Sequence, residues 1–345
     1  MILPIEDTPL HRLPNLARHL GMDADHLWVK REDLTGLAGG GNKARKLAAI
    51  VAHAVAQGCD HLVTGGGAQS NHARMTAAAA NIAGLDCDLV LTTSRPSTPA
   101  TATTPGAPTA PGGESGNFLL DRILGAHIHH LDAAAMPYHE LEAAIQARAG
   151  RLAEQGRRPY AIPIGGSSAL GAATYISVAR ELRQRLDPDL VVVAAGSGGT
   201  HAGLVAGFGD HGKVLGIDVG ARPGLSAAVE ELAAQAASQA GLPRPAGRCR
   251  MDTAQVGAGY GAPTDAALVA LRVAARTDAL LLDPVYTAKA MAGLFAAVRA
   301  SPGMRVVFLH TGGLPGLFAS RYAGWLTSSP PASSADGPGT AAGPS

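Results

Sequence analysis

The sequence predicts a doubly wound α/β fold built on parallel sheets, and three observations carry that prediction. Short apolar runs alternate with longer segments of helical periodicity, which is the pattern of βαβ units with helices on both sheet faces. Several of the apolar runs end directly in glycine-rich turns. The chain has 345 residues, 46% of them hydrophobic, enough for two domains with substantial cores.

The elements follow in order. His26–Lys30 is a short strand, and residues 43–57 form a helix. His61–Thr64 is a strand that ends in the turn Gly65-Gly66-Gly67. Asn71 to about Ala83 is a helix, with Gly84 placed as its stop. Cys87–Thr92 and Tyr160–Ile164 are strands, residues 170–186 a helix, and Leu190–Ala194 a strand. A helix over 200–208 precedes a strand over Gly212–Ile217, and Val306–His310 is a further strand. Residues 94–116, dense in Pro, Thr, Ala and Gly, are expected to be a flexible surface loop, and 327–345 a disordered tail.

Composition excludes several function classes. Lys and Arg number 28 against 27 Asp and Glu, so no basic stripe points to nucleic acid or an acidic membrane. Aromatics make up only 4%, which leaves the core to Ala, Val, Leu and Ile. Cys59, Cys87 and Cys249 form no CxxC pair and no metal-ligand spacing; reduced thiols and no metal are expected. Met1–Asp7 carries two acids, and the apolar segments break before the roughly 18 residues a membrane span requires. A soluble, cytoplasmic protein is expected.

Four constellations carry chemistry. Gly39-Gly-Gly-Asn-Lys43 sets a lysine behind a glycine turn and ahead of a helix. Glycine lets backbone approach a ligand, and a desolvated lysine becomes a nucleophile for a carbonyl. Ser70-Asn71-His72 stands at a helix start, where Ser and Asn serve either as caps or, with the free N–H groups, as a carboxylate site. Gly196-Ser197-Gly198-Gly199-Thr200 joins an apolar strand to a small-residue helix. Its N–H groups suit a monoester phosphate, without the spacing of a P-loop or dinucleotide fingerprint. The fourth group is Tyr260, Tyr286-Thr287 and Thr311; its tyrosines are either proton-transfer groups or amphipathic edge residues, and Thr311 lies at a strand's carboxyl end. A reactive lysine, a phosphate cradle and a carboxylate turn together are what pyridoxal 5'-phosphate and an amino-acid substrate require.

The motifs GGGNKARKL, GGGAQSNHAR, IPIGGSSALGA, AAGSGGTHAGL, GYGAPTDA, LLDPVYTAKAMAGL and HTGGLPGLFA stand in the order seen in the D-cysteine desulfhydrase and 1-aminocyclopropane-1-carboxylate deaminase family, which this chain resembles from about Thr8 to Ala319, except at 94–116. The resemblance implies a pyridoxal-phosphate enzyme of the tryptophan-synthase-β fold (fold type II), and a homodimer. It implies a large cofactor-binding domain of residues 1–46 and 166–326 and a small domain of 47–165, with the cofactor between them. Lys43 resembles the lysine that forms the Schiff base, and Asn71 the asparagine on the cofactor's 3' oxygen. Ser70 and His72 resemble residues at the substrate carboxylate and reacting carbon, Gly196–Thr200 the phosphate cradle, and Tyr260 and Tyr286 the active-site tyrosines.

Two positions separate the branches that the family resemblance implies. Deaminase members have Glu after the second tyrosine and Leu before the last Gly-Gly, whereas this chain has Thr287 and Thr311, as the desulfhydrases do. A carboxylate near the pyridine nitrogen keeps it protonated, while a threonine hydroxyl only hydrogen-bonds it. The less demanding removal of an α-proton with loss of a Cβ leaving group is therefore favoured. The expected reaction is β-elimination, D-cysteine giving pyruvate, ammonia and sulfide. Other small amino-acid substrates (L-cysteate, L-cysteine or the deaminase substrate), β-replacement and a non-catalytic ligand-binding role are the alternatives.

Overall fold

The computed structural model describes residues 3, 5, 7–92, 115–131, 136–301 and 303–328. The elements run β1 (Leu10–Arg12), α1 (Pro14–His19), β2 (Leu27–Lys30), α2 (Lys43–Ala56), β3 (His61–Gly67), α3 (Asn71–Ala83) and β4 (Asp86–Thr92). Next come α4 (Gly116–Ile123), β5 (His127–Leu131), α5 (Tyr138–Glu154), β6 (Pro159–Ala161), α6 (Ala169–Arg185), β7 (Leu190–Ala195) and α7 (Gly199–Phe208). The chain continues through β8 (Val214–Asp218), α8 (Leu225–Gln239), β9 (Arg250–Asp252), α9 (Asp265–Asp278), α10 (Thr287–Ala300), β10 (Val306–Leu309), α11 (Leu314–Leu317) and α12 (Ala323–Thr327).

Ten strands form two sheets among the described residues. One has six strands in the order β1-β2-β10-β7-β8-β9, and the other four in the order β5-β4-β3-β6. All pairings are parallel except β1 with β2. The double winding is visible in single strands. In β7, Leu190, Val192 and Ala194 pack into one core while Val191, Val193 and Ala195 pack into another on the opposite face. Every residue of β7 is buried, and each Val or Leu there contributes about 1.5–3 kcal/mol of burial free energy. The four-stranded sheet repeats the arrangement: Leu62, Leu89 and Leu91 face α2 and α3, and Val63 and Val90 face α5.

Three expectations are corrected. Gly65–Gly67 is not a turn but the end of β3. A Cβ at Gly65 would lie 2.6 Å from Val90 O, and one at Gly66 2.7 Å from Ser70 Cβ, so glycine keeps the ladder while the chain folds back onto α3. The strand expected over Tyr160–Ile164 ends at Ala161 because Pro163 has no N–H for the ladder. Gly116, placed in a loop, opens α4, and Ser115 beside it hydrogen-bonds Gln69 and Ser320. The remainder of that loop, 94–114, and the tail from 329 lie outside the described residues, while Thr327, placed in the tail, closes α12. Helix α3 ends as expected, with Gly84 in the left-handed conformation at φ 68°.

Candidate active site

Sheet ends from both halves converge on one cavity of about 570 Å³. Its walls come from the carboxyl ends of β3, β4, β7, β8 and β10, where ligands sit in open parallel sheets. Lys43, Ser70, Asn71, His72, Gly196–Thr200, Tyr260, Tyr286 and Thr311 all line it. Residues expected at one site from widely separated segments are thus brought together.

Lys43 begins α2, and its position is held from behind. Glu32, fully buried, accepts from Arg45 Nε at 2.6 Å and from the Tyr175 hydroxyl at 2.8 Å. The same hydroxyl lies 3.0 Å from Asn42 O, and Asn42 Nδ2 donates to Thr200 Oγ1 at 2.9 Å. Lys43 Nζ donates to Asn42 Oδ1 at 3.1 Å. Loss of hydration lowers the Lys43 amine from its ordinary value to about 8, against the opposing pull of Asp283. Glycines 39–41 work differently from the ligand approach expected of them, since they do not line the cavity. A Cβ at Gly40 would lie 1.8 Å from Asp33 O, and one at Gly312 would lie 2.7 Å from Gly41 Cα. These glycines let one loop pack backbone to backbone against the next.

At the start of α3, Ser70 is both cap and wall. Its Oγ accepts from Ala73 N at 3.2 Å, and the residue lines the cavity. Asn71 Oδ1 is occupied by Arg74 Nη1 at 3.0 Å and Asn117 Nδ2 at 2.9 Å, which leaves its amide N–H groups for the cavity. Arg74 also donates to Gly40 O at 3.0 Å and so ties this helix to the Lys43 loop. His72 Nε2 meets Thr64 Oγ1 at 2.9 Å, and its buried Nδ1 has no partner. Burial, with the Lys43 and Lys46 charges, holds His72 far below its usual pKa; it is neutral.

Gly198, at φ 92°, turns β7 into α7, a helix buried on every side. Gly203 and Gly207 permit that burial: a Cβ at Gly203 would stand 2.0 Å from Ala172 O on α6. Beneath the turn sits Lys46, 1% exposed, with Gly165 O at 3.2 Å as its hydrogen-bond acceptor. A Cβ at Gly199 would come within 2.7 Å of both Lys46 Nζ and Ser167 Oγ. A buried amine with one weak acceptor, facing a helix N-terminus, is a cradle that calls for an anion. These residues fit a monoester phosphate. Lys46 was not singled out by sequence, although its i, i+3 spacing from Lys43 sets both amines on one helix face.

The Tyr260 and Tyr286 hydroxyls hydrogen-bond one another, with ring centres 6.0 Å apart. Burial pushes the Tyr286 hydroxyl well up, so it keeps its proton. Thr287 departs from expectation because it does not line the cavity. Fully buried, its hydroxyl donates to Asp283 Oδ1 and accepts from Asp283 N, both at 2.7 Å. The Asp283 carboxylate also accepts from the backbone N–H groups of Val285, Tyr286 and Thr287 and so shapes the turn that presents Tyr286. Thr311 does reach the cavity. His310 positions it, donating through Nε2 to Leu281 O at 2.9 Å and accepting at Nδ1 from Gly312 N at 3.2 Å.

Comparison with known proteins decides the family. The model for pyridoxal-phosphate dependent enzymes matches residues 1–312. This chain belongs to that family. As a pyridoxal-phosphate dependent enzyme, it has the cofactor that the phosphate cradle fits. It is 39% identical over 328 residues to proteins named D-cysteine desulfhydrase from Salmonella newport (strain SL254) and Salmonella typhimurium, covering 90% of this chain and 93% of each relative. Among solved structures, an ACC deaminase homologue superposes with a TM-score of 0.80 at 35% identity, covering 94% of both chains. Threonine deaminase isoform 2 from Solanum lycopersicum, at 15% identity and a TM-score of 0.60 over 90% of this chain and 84% of that one, shares the fold. These neighbours agree with an α/β structure of fold type II.

Proposed function

We propose that this chain is a β-elimination lyase that converts D-cysteine and water to pyruvate, ammonia and hydrogen sulfide. The observation that carries the proposal is Lys43, an amine with its pKa depressed to about 8 in a cavity that also holds a phosphate cradle and the donor-rich start of α3. The 39% identity to D-cysteine desulfhydrases supports the substrate. When bound, pyridoxal phosphate supplies an aldehyde for amines and an electron sink for the substrate's α-carbon. In this reading Lys46 and the Gly196–Thr200 turn hold the phosphate, and Asn71 donates to the ring's oxygen. Ser70 and the first N–H groups of α3 bind the substrate carboxylate. Lys43 would hold the aldehyde end of the cofactor, and its amine, when free, would take the substrate's α-proton. The Tyr260–Tyr286 pair, protonated, donates to the departing sulfur. Thr311, which lines the cavity, would offer its hydroxyl to the pyridine nitrogen.

The same reading divides the chain into a large domain of 1–46 with 166–326 and a small one of 47–165, although α2 runs across the 46/47 junction. It includes a homodimer in the cytoplasm. Exposed Leu119 and Ile123 on α4, beside exposed Leu314 and Phe318 at α11, support a second copy as the cover for this apolar face. No helix among the described residues is long and apolar enough to cross a membrane. The decisive test is pyruvate release from D- and L-cysteine, L-cysteate, β-chloroalanine and 1-aminocyclopropane-1-carboxylate, with Lys43→Ala as control. D-cysteine should be turned over fastest, and Lys43→Ala should lose both turnover and the visible absorbance of the lysine-linked cofactor. Near-normal activity in Lys43→Ala refutes the mechanism, and faster turnover of another substrate refutes the assignment.

A further inference from the structure

The opposite edge of the small sheet holds a second cluster with no part in this chemistry. His61 opens β3, Asp88 lies in β4 and His127 opens β5; in the ladder Asp88 pairs with His127, and Val63, two residues beyond His61, pairs with Asp88. Side chains two apart on a strand share a face, so all three project on the side that α5 covers at Val63 and Val90. We propose that His61 Nε2, Asp88 Oδ2 and His127 Nδ1 form a binding site for a borderline divalent transition metal of the Zn²⁺ type, with water completing a tetrahedron.

The donor atoms lie within 4.8 Å of one another, and no other group of three such residues occurs among the described residues. Two imidazoles and one carboxylate, with one position left open, form an established zinc donor set. The two carboxylate oxygens are differently engaged. Oδ1 accepts from Arg148 Nε at 2.6 Å and from His129, while Oδ2 faces His61 Nε2 and, at 3.5 Å, His127 Nδ1. Arg148 and His129 therefore orient the carboxylate from outside, as partners beyond the ligand shell do in metal sites. The other His61 nitrogen, buried and without a hydrogen-bond partner, stands 3.8 Å from Asp86 Oδ2, too far for a hydrogen bond but close enough to feel that carboxylate's charge. Access is open on one side only: His61 and Asp88 are buried, while the His127 side chain is 62% exposed. A bound ion would clamp β3, β4 and β5 together at the edge remote from the cavity, since Gly67 and Thr92 at the far ends of β3 and β4 line that cavity.

The test is calorimetric titration of the tag-free, pyridoxal-phosphate-loaded enzyme with zinc chloride, alongside thermal melting. One Zn²⁺ should bind per chain and raise the melting temperature, because an ion that binds only the folded form stabilises it by mass action. His127→Ala, at an exposed position, should fold normally, weaken binding by at least about 10–100-fold, the loss that even outer partners carry, and abolish the thermal shift. Asp88→Asn should also bind poorly. Absence of Zn²⁺ binding in the native enzyme overturns the proposal. So does unchanged affinity in His127→Ala, which would assign the ion to the free thiols Cys59, Cys87 or Cys249 or to another surface group.

Discussion

Lys46→Met separates two effects that usually move together. The Lys46 amine is 1% exposed and has Gly165 O at 3.2 Å as its hydrogen-bond acceptor. Burial and the neighbouring Lys43 amine hold its pKa well below the ordinary lysine value. Methionine keeps an unbranched stem of similar length while removing the group that must be desolvated. Apo stability should therefore stay level or rise. Cofactor binding should respond oppositely, because a phosphate restores the charge and gains a charged hydrogen bond worth about 1.5–3 kcal/mol. At about 1.4 kcal/mol per factor of ten, the dissociation constant for pyridoxal phosphate rises roughly 10–150-fold. Fluorescence titration of the apo enzyme measures this constant, and differential scanning fluorimetry measures the melting temperature. Pyridoxal without its phosphate is the internal control and should bind native and variant protein equally. The reasoning fails if pyridoxal phosphate binds within about threefold of the native affinity, if pyridoxal loses as much, or if the apo variant melts earlier.

Four further outcomes follow from the same geometry. Reconstitution of the apo enzyme with pyridoxal phosphate should accelerate as pH rises and level off just above 8, where the Lys43 amine becomes mostly neutral; a rate still climbing towards pH 10 would contradict the depressed value. Because that folded pKa lies below the unfolded one of 10.5, protonation of Lys43 opposes folding, increasingly so as pH falls from 10.5 to about 8, and apo melting curves should show that slope. Thr287→Val should cost about 1–3 kcal/mol of stability by leaving Asp283 short of a buried partner, read as a lower Tm, whereas Thr311→Val should change turnover with little effect on Tm; a Thr287→Val enzyme that is inactive at native Tm would place the hydroxyl at the ligand after all. Phe318→Asp, at a side chain 68% exposed, should convert a dimer to a monomer in light scattering, and an unchanged mass would exclude this face.

What the sequence revealed and what it concealed divide along a physical line. Lys43, the turn at Gly196–Thr200 and the start of α3 were legible because each is a local pattern of glycines, caps and strand ends. The reach of each glycine was not. The glycines before Lys43 were read as room for a ligand, whereas the structure places Asp33 O against Gly40 and Gly41 Cα against Gly312. Thr287 went astray for a different reason: which way a side chain at a helix start points depends on its competing partner, and Asp283, four residues earlier, already offered the acceptor. Lys46 drew no attention because nothing local marks it, and the turn that encloses it lies more than a hundred residues away. The His61–Asp88–His127 cluster has no local spacing at all, since its members meet only through the register of three strands.

At Ser70, where the sequence left capping and ligand binding open, the donors and acceptors can be counted. A hydroxyl carries one O–H and two lone pairs. One lone pair of Ser70 takes the Ala73 N–H, so its capping role leaves the O–H free to donate. Asn71 divides in the same sense, its oxygen held by Arg74 and Asn117 and its N–H groups released. The first N–H groups of α3 lack intrahelical acceptors in any helix. Apart from the second Ser70 lone pair, what this helix start offers the cavity is therefore donors. The lining adds Lys43, Lys46 and Arg321 and contains no Asp or Glu among the described residues. A site lined by these donors and amines, with no carboxylate facing them, selects for a ligand anionic at both ends, which a cofactor phosphate at α7 and a substrate carboxylate at α3 would together provide.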